Sequence, residues 1–115
     1  MAVGVTRERF EELVDQALES VPTQLLDMVD NVLIEVEEDP PEGEHLLGLY
    51  EGIPLTERGD YAGVLPDVIW VFMNPILEIC SNEEHVAEEV RVTLIHELAH
   101  HFGIEDDRLE DLGWG

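Results

Sequence analysis

Two histidines four residues apart, with a glutamate directly after the first, constrain this chain more than any other feature: His96-Glu97-Leu98-Ala99-His100. Residues at that spacing meet across one turn of an α-helix. Two imidazoles so placed can reach one Zn²⁺ ion at about 2.0–2.1 Å. Glu97 projects about 100° around the helix axis from His96. From there it can approach a water on the metal without ligating the ion, which suits a general base. A catalytic zinc needs a third protein ligand. Beyond His101 and Phe102, Gly103 can take a positive φ, end the helix and let the chain turn back. Asp106 then faces the metal, giving the ligand set His96, His100 and Asp106 with a fourth position open. Glu105, Asp107, Glu110 and Asp111 are rival carboxylates, and spacing favours Asp106.

The surrounding pattern supports a helix there. Ser81-Asn82-Glu83-Glu84 reads as a Ser-x-x-Glu capping box, and Ala87, Val90, Leu94 and Leu98 recur on one face. An earlier helix is expected from Thr6 to about Val21, capped by Thr6 and carrying Phe10, Leu13, Val14 and Leu18. Pro22 interrupts it, and a short helix over Gln24 to Val29 follows. Asn31 to Glu37 is rich in β-branched residues and predicts a strand, ended by Asp39-Pro40-Pro41-Glu42-Gly43. His45 to Glu51 can supply a short strand. The apolar run Asp67 to Met73 predicts a buried one. Asn74 and Pro75 then read as the cap and first position of a short helix through Cys80. The sum is an α+β fold: a small β-sheet packed with helices, the active-site helix near the C-terminus.

Length and charge narrow the rest. The 115 residues fit one domain spanning 1–115. Acidic residues number 28 against five arginines, a formal net charge of −23. Such a surface repels nucleic acid and anionic membranes and can attract a basic protein or peptide. Cys80 has no partner for an intrachain disulfide and reads as a small buried hydrophobe. With no secretory signal and no span-length apolar stretch, a cytoplasmic location is expected.

The words Leu49-Tyr50-Glu51-Gly52-Ile53-Pro54-Leu55-Thr56-Glu57-Arg58, His96 to Ile104, and Asp106-Asp107-Arg108-Leu109 resemble the short bacterial zincin-like metallopeptidases. The motif itself, HExxHxxGxxD, looks metzincin-like with aspartate as third ligand. The resemblance covers roughly residues 47 to 109. It implies a minimal zincin fold and a Zn²⁺ site. It also implies that an edge strand beside the cleft, here Asp67–Met73, pairs with a peptide substrate. Typical metzincins have histidine where Asp106 stands and a methionine turn downstream; no methionine follows Met73.

The function expected is zinc-dependent hydrolysis of a peptide bond, with Glu97 as general base. The competing reading is a non-catalytic zinc-binding acidic adaptor for a basic protein partner. A pure zinc site does not need Glu97, which favours the enzyme. Among other residues, Arg58 can bind a carboxylate or neutralise nearby acids. Tyr50 and Tyr61 are candidate transition-state donors. His101 points away from the ligand pair and reads as a packing or surface group, as do His45 and His85. Trp70 belongs to the apolar strand, and Trp114 to the terminal turn.

Overall fold

A computed structural model describes residues 4–27, 32–52 and 67–113. Helix α1 spans Arg7–Glu19 and α2 Thr23–Leu26. Strand β1 spans Val32–Glu37, β2 Gly48–Glu51 and β3 Asp67–Phe72. Helices α3 (Met73–Ile79), α4 (Glu83–His101) and α5 (Asp106–Leu112) complete the chain. This is the small α+β architecture expected. Arg58, Tyr61 and Trp114 lie outside the described residues, as do the end of the expected second helix and Asn31.

Helix α1 begins where Thr6 accepts a hydrogen bond from the Arg9 N–H through its side chain. Its buried residues Phe10, Leu13, Val14 and Ala17 form one stripe, the pattern of a helix with a single covered face. Helix α4 differs. Val86, Val90, Thr93, Leu94, Ile95, Leu98 and Ala99 are all buried and are spread around its circumference. The reason is its place: α4 packs against α1, against α3 and against β2 and β3. A helix enclosed on several sides needs apolar residues on several sides.

The sheet has order β1-β3-β2. Strand β1 runs parallel to β3, with Val32 opposite Asp67 and Glu37 opposite Phe72. Strand β2 runs antiparallel to β3, with Gly48 opposite Val71 and Glu51 opposite Val68. Alternation puts Ile69 and Val71 fully inside, whereas Val68 and Trp70, on the other face, are partly exposed. The apolar run over Asp67–Met73 is therefore covered on one side more than on the other. A guanidinium nitrogen of Arg7 donates to the Val36 carbonyl at 2.6 Å and ties α1 to β1.

Two local expectations need correction. Helix α4 is capped by Asn82, whose side chain accepts from the His85 N–H at 2.8 Å, not by Ser81. Asparagine one residue later performs the same service for the orphan N–H groups. Helix α3 starts at Met73, before Asn74 and Pro75. Pro75 is tolerated at its third position because the N–H there has no intrahelical acceptor. The Asn74 side chain, freed from capping, donates instead to Asp39 at 3.0 Å. The tail after Gly103, for which no element was expected, forms α5, anchored by the fully buried Leu109.

Candidate metal centre

The C-terminal end of α4 shows how the motif folds. Phe102 caps the helix, and Gly103 takes φ +77°. The Gly103 N–H donates to the His100 carbonyl at 3.0 Å and the Ile104 N–H to the Ala99 carbonyl at 2.8 Å. This paired arrangement is the Schellman motif, which needs a left-handed residue and so favours glycine. The chain reverses and enters α5, whose first residue is Asp106. Acids in a first turn are favoured by the partial positive charge of a helix N-terminus.

The reversal brings Asp106 to the two histidines. Its Oδ1 lies 3.1 Å from His100 Nε2 and 3.9 Å from His96 Nε2. Of the tail carboxylates, Asp106 is the one that reaches both rings among the described contacts. A tetrahedral ion with bonds near 2.0–2.1 Å separates its ligands by about 3.3 Å. The two distances to Asp106 straddle that value. The imidazole rings lie 5.7 Å apart between centroids and are inclined by 16°. The described residues hold no ready-made cluster of three or more metal donors. Both imidazole side chains are substantially exposed, so side-chain rotation could bring their nitrogens and Asp106 to one ion. Two imidazole nitrogens and a carboxylate oxygen are a donor set that suits zinc.

Glu97 stands beside this group and is half-buried. Burial pushes its carboxyl above the ordinary range. A hydrogen bond donated by the Tyr50 backbone N–H, and then the His100 and His96 rings, pull part of that rise back. The Tyr50 bond follows from strand geometry. Because the Phe72 N–H bonds the Leu47 carbonyl, alternation turns the backbone polar groups of Gly48 and Tyr50 to the outer edge of β2. That edge runs along α4.

Linkage gives the sign of the pH effect. A carboxyl raised on folding favours its protonated form in the folded state, so its ionisation opposes folding. The penalty is absent below the unfolded value of about 4.3 and grows as pH rises through the folded one. Metal-free Glu97→Gln is therefore expected to melt higher than the metal-free parent at pH 7, with the gap closing by pH 4. A gap that widens on acidification would reverse this account.

Gly48 was not singled out by sequence, and it sets the approach of β2 to α4. A Cβ built there would sit 2.5 Å from Thr93 Cγ2 and 3.1 Å from the Trp70 carbonyl oxygen. Thr93 is buried and β-branched, so its methyl cannot swing aside cheaply. Gly48→Ala is expected to lower stability by about 1–3 kcal/mol. Denaturant unfolding checks this, and an unchanged midpoint would show that the strand relaxes freely.

The other named residues fall outside the cluster. Strand β3 is paired on both sides, so the expected substrate-pairing edge is not Asp67–Met73; β2 is the edge strand next to the metal group. The Tyr50 hydroxyl donates to Asp67 at 2.7 Å, and its ring stacks on His101 at 3.9 Å between centroids. His101 also meets Phe102 edge-on, consistent with a packing role.

Comparison with known proteins agrees with this architecture. The description "zincin-like metallopeptidase" matches residues 29–114, so the chain belongs to that family. A solved structure of a conserved hypothetical protein from Thermus thermophilus is similar, at 30% identity and a TM-score of 0.57. The match covers 94% of this chain and 97% of that one. A search of curated proteins returns no match. Among the described residues, no helix is long and apolar enough to cross a membrane.

Proposed function

We propose that the protein is a zinc-dependent hydrolase of peptide bonds. The observation that carries this reading is the convergence of Asp106 on His96 and His100, with Glu97 held beside them by Tyr50. His96 Nε2, His100 Nε2 and Asp106 Oδ1 would hold the ion. Zinc, when bound, supplies a Lewis acid for the scissile carbonyl and makes a nearby water more acidic.

The chain's own groups do the rest. Glu97 accepts a proton from the attacking water as its oxygen bonds the carbonyl carbon. It returns that proton to the amine as the carbon–nitrogen bond breaks. Partial burial strengthens Glu97 as a proton acceptor, and the Tyr50 N–H fixes one side of its carboxylate. Leu46 and Leu47, just before β2, and Gly48, at its start, line together with α4 an open cleft of about 280 Å³ that carries His96, Glu97 and His100.

The test is a peptide library incubated with zinc-loaded protein, with new termini read by mass spectrometry. Cleavage that stops in chelator and returns with zinc is expected. A library left intact would overturn hydrolysis. The acidic-adaptor reading would then stand, with a stable uncleaved complex with a basic protein as its own signature.

A further inference from the structure

The cleft that carries His96, Glu97 and His100 runs on past them along α4. A volume of about 280 Å³ is lined by Leu46, Leu47 and Gly48 on one side. Across it, the α4 face contributes Glu89, Val92, Thr93, His96, Glu97 and His100. Its floor is apolar over the leucines and Val92. Apart from the residues of the metal group, the one ionisable side chain in this lining is Glu89.

Glu89 stands seven residues before His96, two helical turns away on the same face. That places it about 10 Å along the helix from the first histidine. An extended peptide covers the same distance in about three residues. The Glu89 side chain is only 27% exposed, and its partner among the described residues is His85, whose Nε2 lies 3.8 Å away. That distance is too long for a hydrogen bond. The His85 ring is fixed from its other side, where Nδ1 accepts the Ser81 N–H at 3.2 Å. None of the described arginines lines the cleft. Arg7, Arg9 and Arg91 are engaged with Glu11, Glu12, Glu83 and Glu88 on other surfaces. A partly desolvated carboxylate at the end of an apolar trough, with only a histidine at 3.8 Å and no arginine in the cleft lining, is a receptor for a cation on an apolar stem. Arginine and lysine side chains have that form.

We propose that Glu89 is a specificity residue: it takes an arginine or lysine side chain of a peptide in this cleft, two or three residues from the scissile bond. The proposal rests on the reading of the cleft as a peptide-hydrolysing site, but binding tests it separately. Glu89 makes no contact with the reacting atoms. Apolar residues of the same peptide would lie over Leu46, Leu47 and Val92.

The probe is a blocked hexapeptide of leucine and alanine carrying one arginine, compared with its citrulline analogue. Citrulline keeps the shape and loses the charge. Binding is measured by calorimetry on zinc-loaded Glu97→Gln protein, so that no cleavage intervenes. The arginine peptide is expected to bind about tenfold tighter, the size of one charge-assisted hydrogen bond. Adding Glu89→Gln should reduce the ratio to near one. Adding Glu78→Gln, an exposed acid on α3, should leave it unchanged and so removes bulk charge as the cause. A ratio near one in the parent, a ratio insensitive to Glu89→Gln, or no binding of either peptide would overturn the subsite. If the ratio behaves as expected and Glu97-containing protein cleaves nothing, hydrolysis falls and the cationic subsite stands.

Discussion

Glu97→Gln is expected to keep one zinc per chain and to lose hydrolysis by roughly 10²–10⁴-fold, the range a positioned general base supplies. The substitution is nearly isosteric. The glutamine carbonyl can still accept the Tyr50 N–H, so the contact between α4 and β2 persists. What disappears is the ability to take a proton. The loss should therefore fall on kcat, with metal content by mass spectrometry unchanged. Equal turnover in both proteins would remove Glu97 from the chemistry. Loss of zinc together with activity would instead make Glu97 part of the metal's support.

His100→Ala should act on the metal itself. His100 Nε2 makes the closer of the two contacts to Asp106, at 3.1 Å. Without it one nitrogen and one carboxylate remain. Losing even an outer-shell partner typically costs 10–100-fold in metal affinity, so losing a ligand should cost about 100-fold or more. The fold itself should barely respond, because the ring is 46% exposed. Metal-free parent and variant are expected to melt together. Zinc at about 100 times its dissociation constant should add about 2.7 kcal/mol to the parent and little to the variant. Zinc affinity unchanged by His100→Ala would remove this residue from the ligand set.

What the sequence made legible is what depends on neighbours in the chain. The His96–His100 spacing, the Gly103 break and the placement of Asp106 all fall within one short stretch, and local geometry decides them. The stripe of α1 and its Thr6 cap were readable for the same reason. What was not legible depends on contacts between distant segments. The fit of Gly48 against Thr93 joins residues far apart in the chain, and nothing in either local sequence announces it. The same holds for the Tyr50 N–H on Glu97 and for the central position of β3, which moved the free edge to β2. Glu89 escaped attention because one acid among 28 carries no mark until the cleft is formed. Helix α5 was missed because its seven residues bury a single side chain, Leu109, too little to show a period.

Two of the three proposed donors ride on an enclosed central helix, and the third on a short peripheral one held by Leu109. Their thermodynamic status therefore differs. The histidines are carried by the helix at the centre of the core, whereas Asp106 reaches them only while α5 stays docked. Any ion that needs all three binds the docked state alone, so its apparent affinity is lowered by the docked fraction. The converse also holds: an ion that binds only the docked state shifts the docking equilibrium further toward it as the site fills. A substitution at Leu109, remote from any donor atom, would thus behave in titrations as if it had altered the metal site.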